Sequence, residues 1–532
     1  MKLLILLCSV MSVMAGTCKE CEVDMMQLHD QAVAESMIPV RNGVQGVRPF
    51  WNEYAFRFMN VPAFDFDTVD NAACYRFTAK SSKGGEFVFT AQRPDALLTP
   101  VWQKMPVGDF TLKVEAIGED GEVIGLSGEK KSRKAAVYNG PYREDYDYAA
   151  SAQKALQKLY QKSFVRKWLE TGEPDPEYHY RYRYAAKMIG GVIEGAVVYA
   201  RIKPKPADAD EVLKIGVAAA DYLLTRHYPA GSPLEYFPPT YDKMEAEGHM
   251  NVDKCMFMYG ADVGQAYLGL FEITGDKKYF DAAERIADGF KRLQLDSGTW
   301  YLVVDVKTGK PINDNLINPP LIINYLDTFI KKYGRTDLQS VVDKAIKWTF
   351  DNPMKTFNWQ NQFEDSPPDK PYRNLSHVEP CLFAIYLLQN ADRNPSYIEL
   401  ARELIRYVED QFVVWSDPPS DSNRNWDNAL FPAEYYATDK WVLPCVGEQY
   451  LFWQPVGGAS TNFVLVLKKA YEVTGDRIYL AKAKDLANNV VYVQEKYHNG
   501  EYLTYLTTLE RDYWINCTTG TAAAMFEFGN VK

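Results

Sequence analysis

Three carboxylic acids and one histidine are the strongest candidates for acid–base chemistry in this sequence. Such side chains are the ones that most often donate or accept a proton near neutral pH. When two carboxyl groups share a site, one can protonate a leaving oxygen while the other acts as a base or a nucleophile. The candidate catalytic residues are Asp253, Asp365, His377 and Glu379.

These four residues differ in the surroundings that the sequence predicts for them. Asp365 lies in a loop near Trp359, and it is the preferred proton donor because partial burial beneath aromatic rings raises the pKa of a carboxyl group. Glu379 is predicted in the first turn of a helix, where the helix dipole stabilises the charged form and favours a base or a binding group. His377 is expected to orient the substrate. The alternative is a structural role: first-turn carboxylates at Asp253 and Glu379, and a hydrogen-bonded core histidine at His377.

Polar and aromatic side chains in the same segments are candidates for substrate binding. Tyr and Trp combine a flat apolar face with a polar edge, which suits stacking on polar rings, although aromatic residues also fill cores and pack under loops. Two further carboxylates, Glu364 and Glu448, belong to the same segments. The candidate binding residues are Tyr180, Arg183, His249, Trp359, Asn374, Tyr450 and Trp453.

From about Tyr146 to the C-terminus, hydrophobic residues recur with the helical period, and the pattern repeats along the chain. The motifs Thr274-Gly-Asp276 and Thr474-Gly-Asp476 each introduce an amphipathic helix with an aspartate as N-cap. The helix before each cap is apolar on nearly all sides, which is typical of a buried helix. About six helical hairpins are therefore predicted over residues 146–532, with the apolar helices in an inner ring and the capped helices outside.

The connections between these helices differ in length according to their direction. An inner helix leads tightly into the next outer helix, whereas an outer helix leads into the next inner one through a long loop. Long loops in a compact domain usually carry function. All of them should lie on one face, around the N-termini of the inner helices, and bring the candidate residues together. The long connections are Arg226–Lys254, Gln294–Leu316, Asn352–Ser376 and Phe412–Thr461.

The N-terminal part of the chain has a hydrophobic pattern of period two. Apolar and polar residues alternate strictly from Phe110 to Ala116, and glycine-containing turns separate this run from others. Several short strands in about a hundred residues predict a small β-sandwich. We assign residues 38–138 to this accessory domain, because they contain no group of acids and histidines.

The first residues resemble a signal peptide. Lys2 precedes an apolar run that ends at Ala15 with small residues, which predicts that residues 1–15 are removed during export to the periplasm or the medium. A lipid anchor at Cys18 is the less favoured alternative. No later apolar run approaches the roughly 20 residues that a membrane-spanning helix needs.

Charge and cysteine content exclude several classes of protein. The net charge is −11 and the basic residues are scattered, so nucleic acid is not an expected partner. Eight cysteines form no dense disulfide framework at this length. Neither a metal nor another cofactor is predicted. A catalytic thiolate or a zinc site built from the cysteines near the loops is a minor alternative, and these cysteines are Cys255, Cys381, Cys445 and Cys517.

The helical repeat and the loop asymmetry together resemble the six-hairpin (α/α)6-toroid superfamily of glycoside hydrolases, polysaccharide lyases and related epimerases. The resemblance covers about three quarters of the chain and does not extend to the catalytic motif of a named family. It implies a multi-domain carbohydrate-active enzyme, a β-sandwich followed by a large all-α toroid. We expect an exported glycoside hydrolase whose substrates, polysaccharides or oligosaccharides, include uronic-acid-containing chains.

Two other functions stay open on the same scaffold. A polysaccharide lyase would cleave by β-elimination, with a base and a neutraliser of the uronate chosen from Asn374, His377, Tyr180 and Arg183. A glycan-binding protein without catalysis would use the aromatic residues alone. The oligomeric state is not indicated by the sequence.

Overall fold

The computed structural model describes residues 19–41, 54–241, 252–364, 366, 368–418, 438–510 and 513–530. The predicted signal peptide, residues 1–15, lies outside these ranges. Within them, no helix combines the length and the apolar content that crossing a bilayer requires. The domain limits 38–138 and 146–532 stay predictions.

Within the described residues, the N-terminal part contains two helices and one five-stranded sheet in the order β1-β5-β4-β2-β3. Strand β1 pairs with β5 in parallel, and the other pairs are antiparallel. Irregularities in the register between β4 and β5 bend the sheet. The elements are α1 (Lys19–Ser36), β1 (Arg57–Phe58), β2 (Cys74–Ser81), β3 (Glu86–Ala91), α2 (Thr99–Trp102), β4 (Gly108–Ile117) and β5 (Val123–Lys134).

The expected β-sandwich is therefore found only in part, as a single sheet. Among the described residues, no second sheet packs against it. Its apolar face is covered instead by Trp102 of α2, whose ring lies 6.0 Å from that of Phe110, and by Phe64 from the preceding segment. Alternation along a strand predicts that one face is buried, but it carries no information about which element covers that face.

Helices dominate the rest of the chain. In chain order the elements are α3 (Tyr148–Tyr160), α4 (Ser163–Thr171), α5 (Ala185–Arg201), α6 (Ala209–Arg226), β6 (Lys254–Met256), α7 (Tyr259–Thr274), α8 (Lys277–Leu293), β7 (Val303–Asp305), α9 (Pro320–Tyr333), α10 (Gln339–Asp351), α11 (Pro353–Thr356), α12 (Val378–Gln389), α13 (Ser396–Phe412), β8 (Val413–Val414), β9 (Cys445–Val446), α14 (Gly457–Thr474), α15 (Arg477–Lys496) and α16 (Ile515–Phe528). A 3-10 helix at Pro176–Tyr182 precedes α5.

The helix contacts describe two concentric rings. In the described part of the chain, six helices contact one another in the closed order α5, α7, α9, α12, α14, α16 and back to α5. Each has one outer partner: α6, α8, α10, α13, α15 and α3, in the same order. The predicted division into apolar inner and capped outer helices agrees with these contacts.

The tight connections follow from local sequence. Gly275 and Gly475 end inner helices at φ of 72° and 71°, a left-handed conformation that glycine adopts without strain. The residue directly after each glycine is the N-cap of the next helix. Asp276 accepts a hydrogen bond from Lys278 N at 3.1 Å, and Asp476 accepts one from Ile478 N at 3.3 Å. Each hairpin therefore reverses within a few residues at this end of the toroid.

A buried ion cluster joins α1, α13 and α15. Lys482 Nζ lies 2.8 Å from Glu409 Oε2 and 3.4 Å from Glu35 Oε2, and 2% of the Lys482 side chain is exposed. Glu409 also accepts a hydrogen bond of 2.9 Å from Trp415 Nε1. Burial alone lowers the pKa of Lys482, but the charges of Glu409 and Glu35 outweigh it and hold that pKa above its ordinary value. Lys482 therefore stays protonated inside the protein.

Replacing Lys482 with Met is expected to lower the free energy of unfolding by about 3–5 kcal/mol, because Glu409 is left buried without its cation. Denaturant unfolding measures the loss. Lys484→Met is the matched control on the same helix, since Lys484 pairs with Asp145 at the exposed surface, and its loss should stay below about 1 kcal/mol. Equal losses in the two variants would contradict the structural role of Lys482.

Candidate active site

A cavity of about 330 Å³ lies at the N-terminal ends of the inner helices. All six inner helices reach it, and so do three of the segments that connect outer to inner helices. We call it the site cavity. From the helices and their first residues it is lined by Lys187, Tyr259, Asp262, Leu321, His377, Val378, Gly458, Asn516 and Cys517, and from the loops by Phe363, Glu364, Glu448, Gln449 and Tyr505.

Glu364 is the most firmly held acidic group in the site cavity. Its side chain is 4% exposed, and Lys187 Nζ lies 2.9 Å from Oε1 and 3.2 Å from Oε2. The Tyr259 hydroxyl donates a hydrogen bond to Oε2. Burial raises the pKa of the Glu364 carboxyl, but the charge of Lys187 and the hydrogen bond from Tyr259 outweigh it and bring the pKa below its ordinary value. Glu364 is therefore ionised near neutral pH.

Asp262 is a second carboxyl group of the same cavity, with the opposite character. It lies in the first turn of α7, and its side chain is exposed to the interior of the ring. Enclosure by the surrounding helices raises the pKa of Asp262 to about 6, and the charge of Lys187 limits the rise. Two carboxyl groups with pKa values shifted in opposite directions are the arrangement that acid–base catalysis requires.

His377 faces the site cavity as a neutral acceptor. Its Nδ1 lies 2.8 Å from the carbonyl oxygen of Glu448, and because that oxygen can only accept, Nδ1 carries the proton. Among the described residues Nε2 has no hydrogen-bond partner, and the atom itself is buried. Burial lowers the pKa of His377 to about 4, so the ring is neutral at pH 7. Nε2 is therefore an unpaired acceptor, and a ligand reaches it only when the side chains around it move.

A network of amides ties the loop of Glu364 to the loop of Glu448. Gln449 Oε1 accepts hydrogen bonds from Asn374 Nδ2 at 2.7 Å and from Ser366 Oγ at 3.0 Å. Asn374 Oδ1 in turn accepts one from Leu451 N at 3.0 Å. Asn374 is buried in this network. It therefore holds the loops together, whereas the sequence predicts that it binds substrate.

Of the four predicted catalytic residues, the structure places one in the site cavity, His377. Asp365 lies outside the described residues. Asp253 is half-exposed beside β6, where it pairs with Lys307 at 3.0 Å, and it does not line the cavity. Glu379 is buried behind the cavity wall, and burial raises its pKa to about 7. The role of Glu379 as a base or a binding group stays a prediction.

The predicted binding residues are mostly placed elsewhere. Trp359, Tyr450 and Trp453 are buried in the core, with 0–3% exposed, and none of them lines the site cavity. Long loops cover large aromatic rings here, so these rings pack beneath the loops instead of facing a ligand. Tyr180 is 51% exposed outside the cavity. His249 lies outside the described residues.

Arg183 is close to the cavity without lining it. Its guanidinium carbon lies 5.4 Å from the ring centre of Trp514, and Trp514 lines the cavity. The aromatic side chains that do line it are different from those predicted. They are Tyr259, Phe363, Phe452, Tyr505 and Trp514.

Sequence reasoning missed Lys187 and Asp262. A usable signal was present, because each is a charged residue near the start of a helix that is otherwise almost entirely apolar. A charge on an inner, buried helix must face a cavity or a partner. Glu364 and Glu448 belong to segments that the sequence singled out, but neither was preferred there over its neighbours.

The cysteines near the site show no sign of activation. Cys517 lines the cavity, and burial together with the charge of Glu448 raises the pKa of its thiol to about 12. Cys255 is buried, and burial raises the pKa of its thiol to about 11. Within the described residues, no group of three or more Cys, His, Asp or Glu side chains could hold a metal ion.

Comparison with known proteins identifies distant structural similarity. No protein family matches the chain, and no curated protein sequence matches it either. A family 76 glycoside hydrolase from a bovine Bacteroides thetaiotaomicron strain is similar, with 9% identity, 88% of this chain and 95% of that chain covered, and a TM-score of 0.47. A D-mannose isomerase is similar with 13% identity, 74% of this chain and 99% of that chain covered, and a TM-score of 0.49. An unsaturated glucuronyl hydrolase specific for heparin is similar with 11% identity, 72% of this chain and 95% of that chain covered, and a TM-score of 0.43. Because these TM-scores are below 0.5, the proposals that follow rest on the residues of this chain.

Proposed function

We propose that this protein is a glycoside hydrolase that uses Asp262 as proton donor and Glu364 as the anionic partner. The observation that carries the proposal is the shared position of the two carboxyl groups in one cavity, with Lys187 beside Glu364 and close enough to Asp262 to act on its pKa. Glycosidic cleavage needs one protonated and one ionised carboxyl group across the bond. Below about pH 6, Asp262 is protonated while Glu364 is ionised, so both forms are present together.

The chemistry follows from these two protonation states. Asp262 gives its proton to the glycosidic oxygen as the carbon–oxygen bond breaks, so the leaving sugar departs as a neutral alcohol. Glu364 stabilises the positive charge that develops on the sugar carbon and takes the proton of the attacking water. The contacts from Lys187 and Tyr259 keep Glu364 ionised and fix its orientation. The proton released by water balances the one that Asp262 gave up.

The lining of the cavity supports a sugar as substrate. His377 Nε2 provides an acceptor for a hydroxyl group, and Trp514 and Phe452 provide apolar faces. Lys187 and Arg183 bring positive charge to the cavity and its edge, which supports a chain that contains uronic acid. In the sequence-based expectation, Arg183 had this same role.

A polysaccharide lyase is the second candidate, and one observation favours it. His377 is neutral and its Nε2 has no partner among the described residues, which is the protonation state that a base needs in order to remove a proton from a uronate. The hydrolase is preferred because two carboxyl groups with opposite protonation states have no role in that elimination.

A screen of neutral and acidic plant and host polysaccharides, with mass spectrometry of the products, tests the proposal. Hydrolysis adds the mass of one water at each cleaved bond, which is the expected result. Elimination leaves an unsaturated uronate and would establish the lyase instead. A chain that is bound but stays intact would establish a glycan-binding protein. Products without any water added would therefore overturn the hydrolase.

A further inference from the structure

A second and larger cavity continues from the site cavity into the centre of the toroid. Its volume is about 600 Å³, and helices α5, α7 and α16 line it. We call it the channel cavity. The two cavities share Lys187, Asp262, Asn516 and Gly520 as lining residues, so they meet at this level of the ring. The channel cavity extends to the exposed Arg201 at the end of α5, which lies at the opposite end of the helix from Lys187.

Gly520 marks the passage between the two cavities. It lies within α16, where glycine destabilises a helix relative to alanine. A Cβ atom at this position would meet no atom within 4 Å, so packing does not require glycine here. Gly191 and Gly269 differ, because a Cβ atom there would lie 3.0 Å from Thr519 Oγ1 and 2.9 Å from Val197 Cγ1. The missing side chain of Gly520 keeps the passage open.

The polar lining of the channel cavity includes carboxyl groups, amides and cations. Glu194 and Asp262 project into it from neighbouring helices, and within the described residues neither side chain makes a hydrogen bond or an ion pair. Lys187 lies where the two cavities meet, and at the far end Arg201 is paired with Glu272 at 2.8 Å. The two carboxyl groups suit partners that donate hydrogen bonds, such as sugar hydroxyls.

We propose that the channel cavity is a substrate subsite that holds sugar units of the glycan chain on one side of the scissile bond. The chain enters it past Gly520, and its hydroxyl groups donate to Glu194 and to the channel face of α7. This inference rests on the proposed function, because it assumes that a glycan binds in the site cavity.

Binding of oligosaccharide ladders to the full chain tests the subsite. The probes are xylo-, cello- and manno-oligosaccharides and oligogalacturonides, each of one to five units, measured by calorimetry with the Glu364→Gln protein so that nothing is cleaved. At least one of these ladders is expected to tighten in Kd by about tenfold or more between two and four units, because the added units enter the channel.

Gln265→Trp is the variant that blocks the channel. Gln265 lies on α7, faces the channel cavity and does not line the site cavity, so the indole fills the channel alone. The gain with chain length should disappear while the shortest oligosaccharides keep their affinity. Lys347→Trp is the matched control, since this side chain is 77% exposed on the outer helix α10. Should Gln265→Trp fail to fold, Ala523→Trp on α16 blocks the channel instead, because Ala523 lines the channel cavity and not the site cavity.

The outcomes separate this inference from the proposed function. Binding that does not depend on chain length, or a length dependence that survives both channel variants, would overturn the subsite and leave the hydrolase standing. Absence of binding by every oligosaccharide would overturn the proposed function and the subsite together.

Discussion

Glu364→Gln is expected to reduce turnover about a thousandfold on the glycan that the screen identifies. Glutamine has nearly the same shape, but it cannot take a proton from water or stabilise positive charge on the sugar. The hydrogen bond from Tyr259 survives in the variant, whereas the ion pair with Lys187 is lost. Steady-state kinetics on the purified variant, with thermal unfolding measured in parallel, provide the readout.

The control for this substitution is Glu399→Gln. Glu399 is a surface carboxylate of α13, 69% exposed and paired with Arg402, so its removal should leave turnover within about twofold of the original. Near-normal turnover in the folded Glu364→Gln protein would eliminate Glu364 from the chemistry.

Asp262→Asn is expected to lower turnover by about a hundredfold to a thousandfold and to change its dependence on pH. Asp262 must be protonated to act, and its pKa is about 6, so turnover of the unmodified protein should fall as pH rises through about 6. Glu364 must be ionised, and its pKa lies below the ordinary value, so the acidic limb of the profile should lie at low pH. Asparagine does not titrate, so the decline above pH 6 should disappear in the variant.

Asp253→Asn is the matched control for Asp262→Asn. Asp253 was a predicted catalytic residue, but it lies half-exposed in an ion pair with Lys307. Its replacement should keep both the turnover and the pH profile. If the decline above pH 6 persists in Asp262→Asn, another group is the proton donor, and if Asp253→Asn removes the decline, that donor is Asp253.

The helical architecture could be predicted from sequence because its signals are local. Aspartate caps such as Asp276 and Asp476 and the glycines before them determine where each hairpin turns. Helices α7 and α14 carry apolar residues on nearly all sides, which indicates that they are inner helices. From the lengths of the connections it also followed that one face of the toroid carries the long loops, and the site cavity lies there. The strands of the N-terminal part were likewise predicted, but their arrangement as a single sheet was not.

The members of the site were decided by tertiary structure. The period of a helix shows which of its faces is buried. It does not show that Lys187 Nζ of α5 lies 2.9 Å from Glu364 Oε1, which belongs to a loop far along the chain. Nor does the sequence show how deeply a group is enclosed, and enclosure raises the pKa of Glu379 and buries Trp359 and Trp453 beneath their loops. Periodicity and capping depend on neighbours within a few residues, so the sequence by itself determined the rings and the face that carries the loops. Proton affinity depends on distance and hydration across six helices, so only the closed toroid decided that Asp262 and Glu364 share one cavity with pKa values shifted in opposite directions.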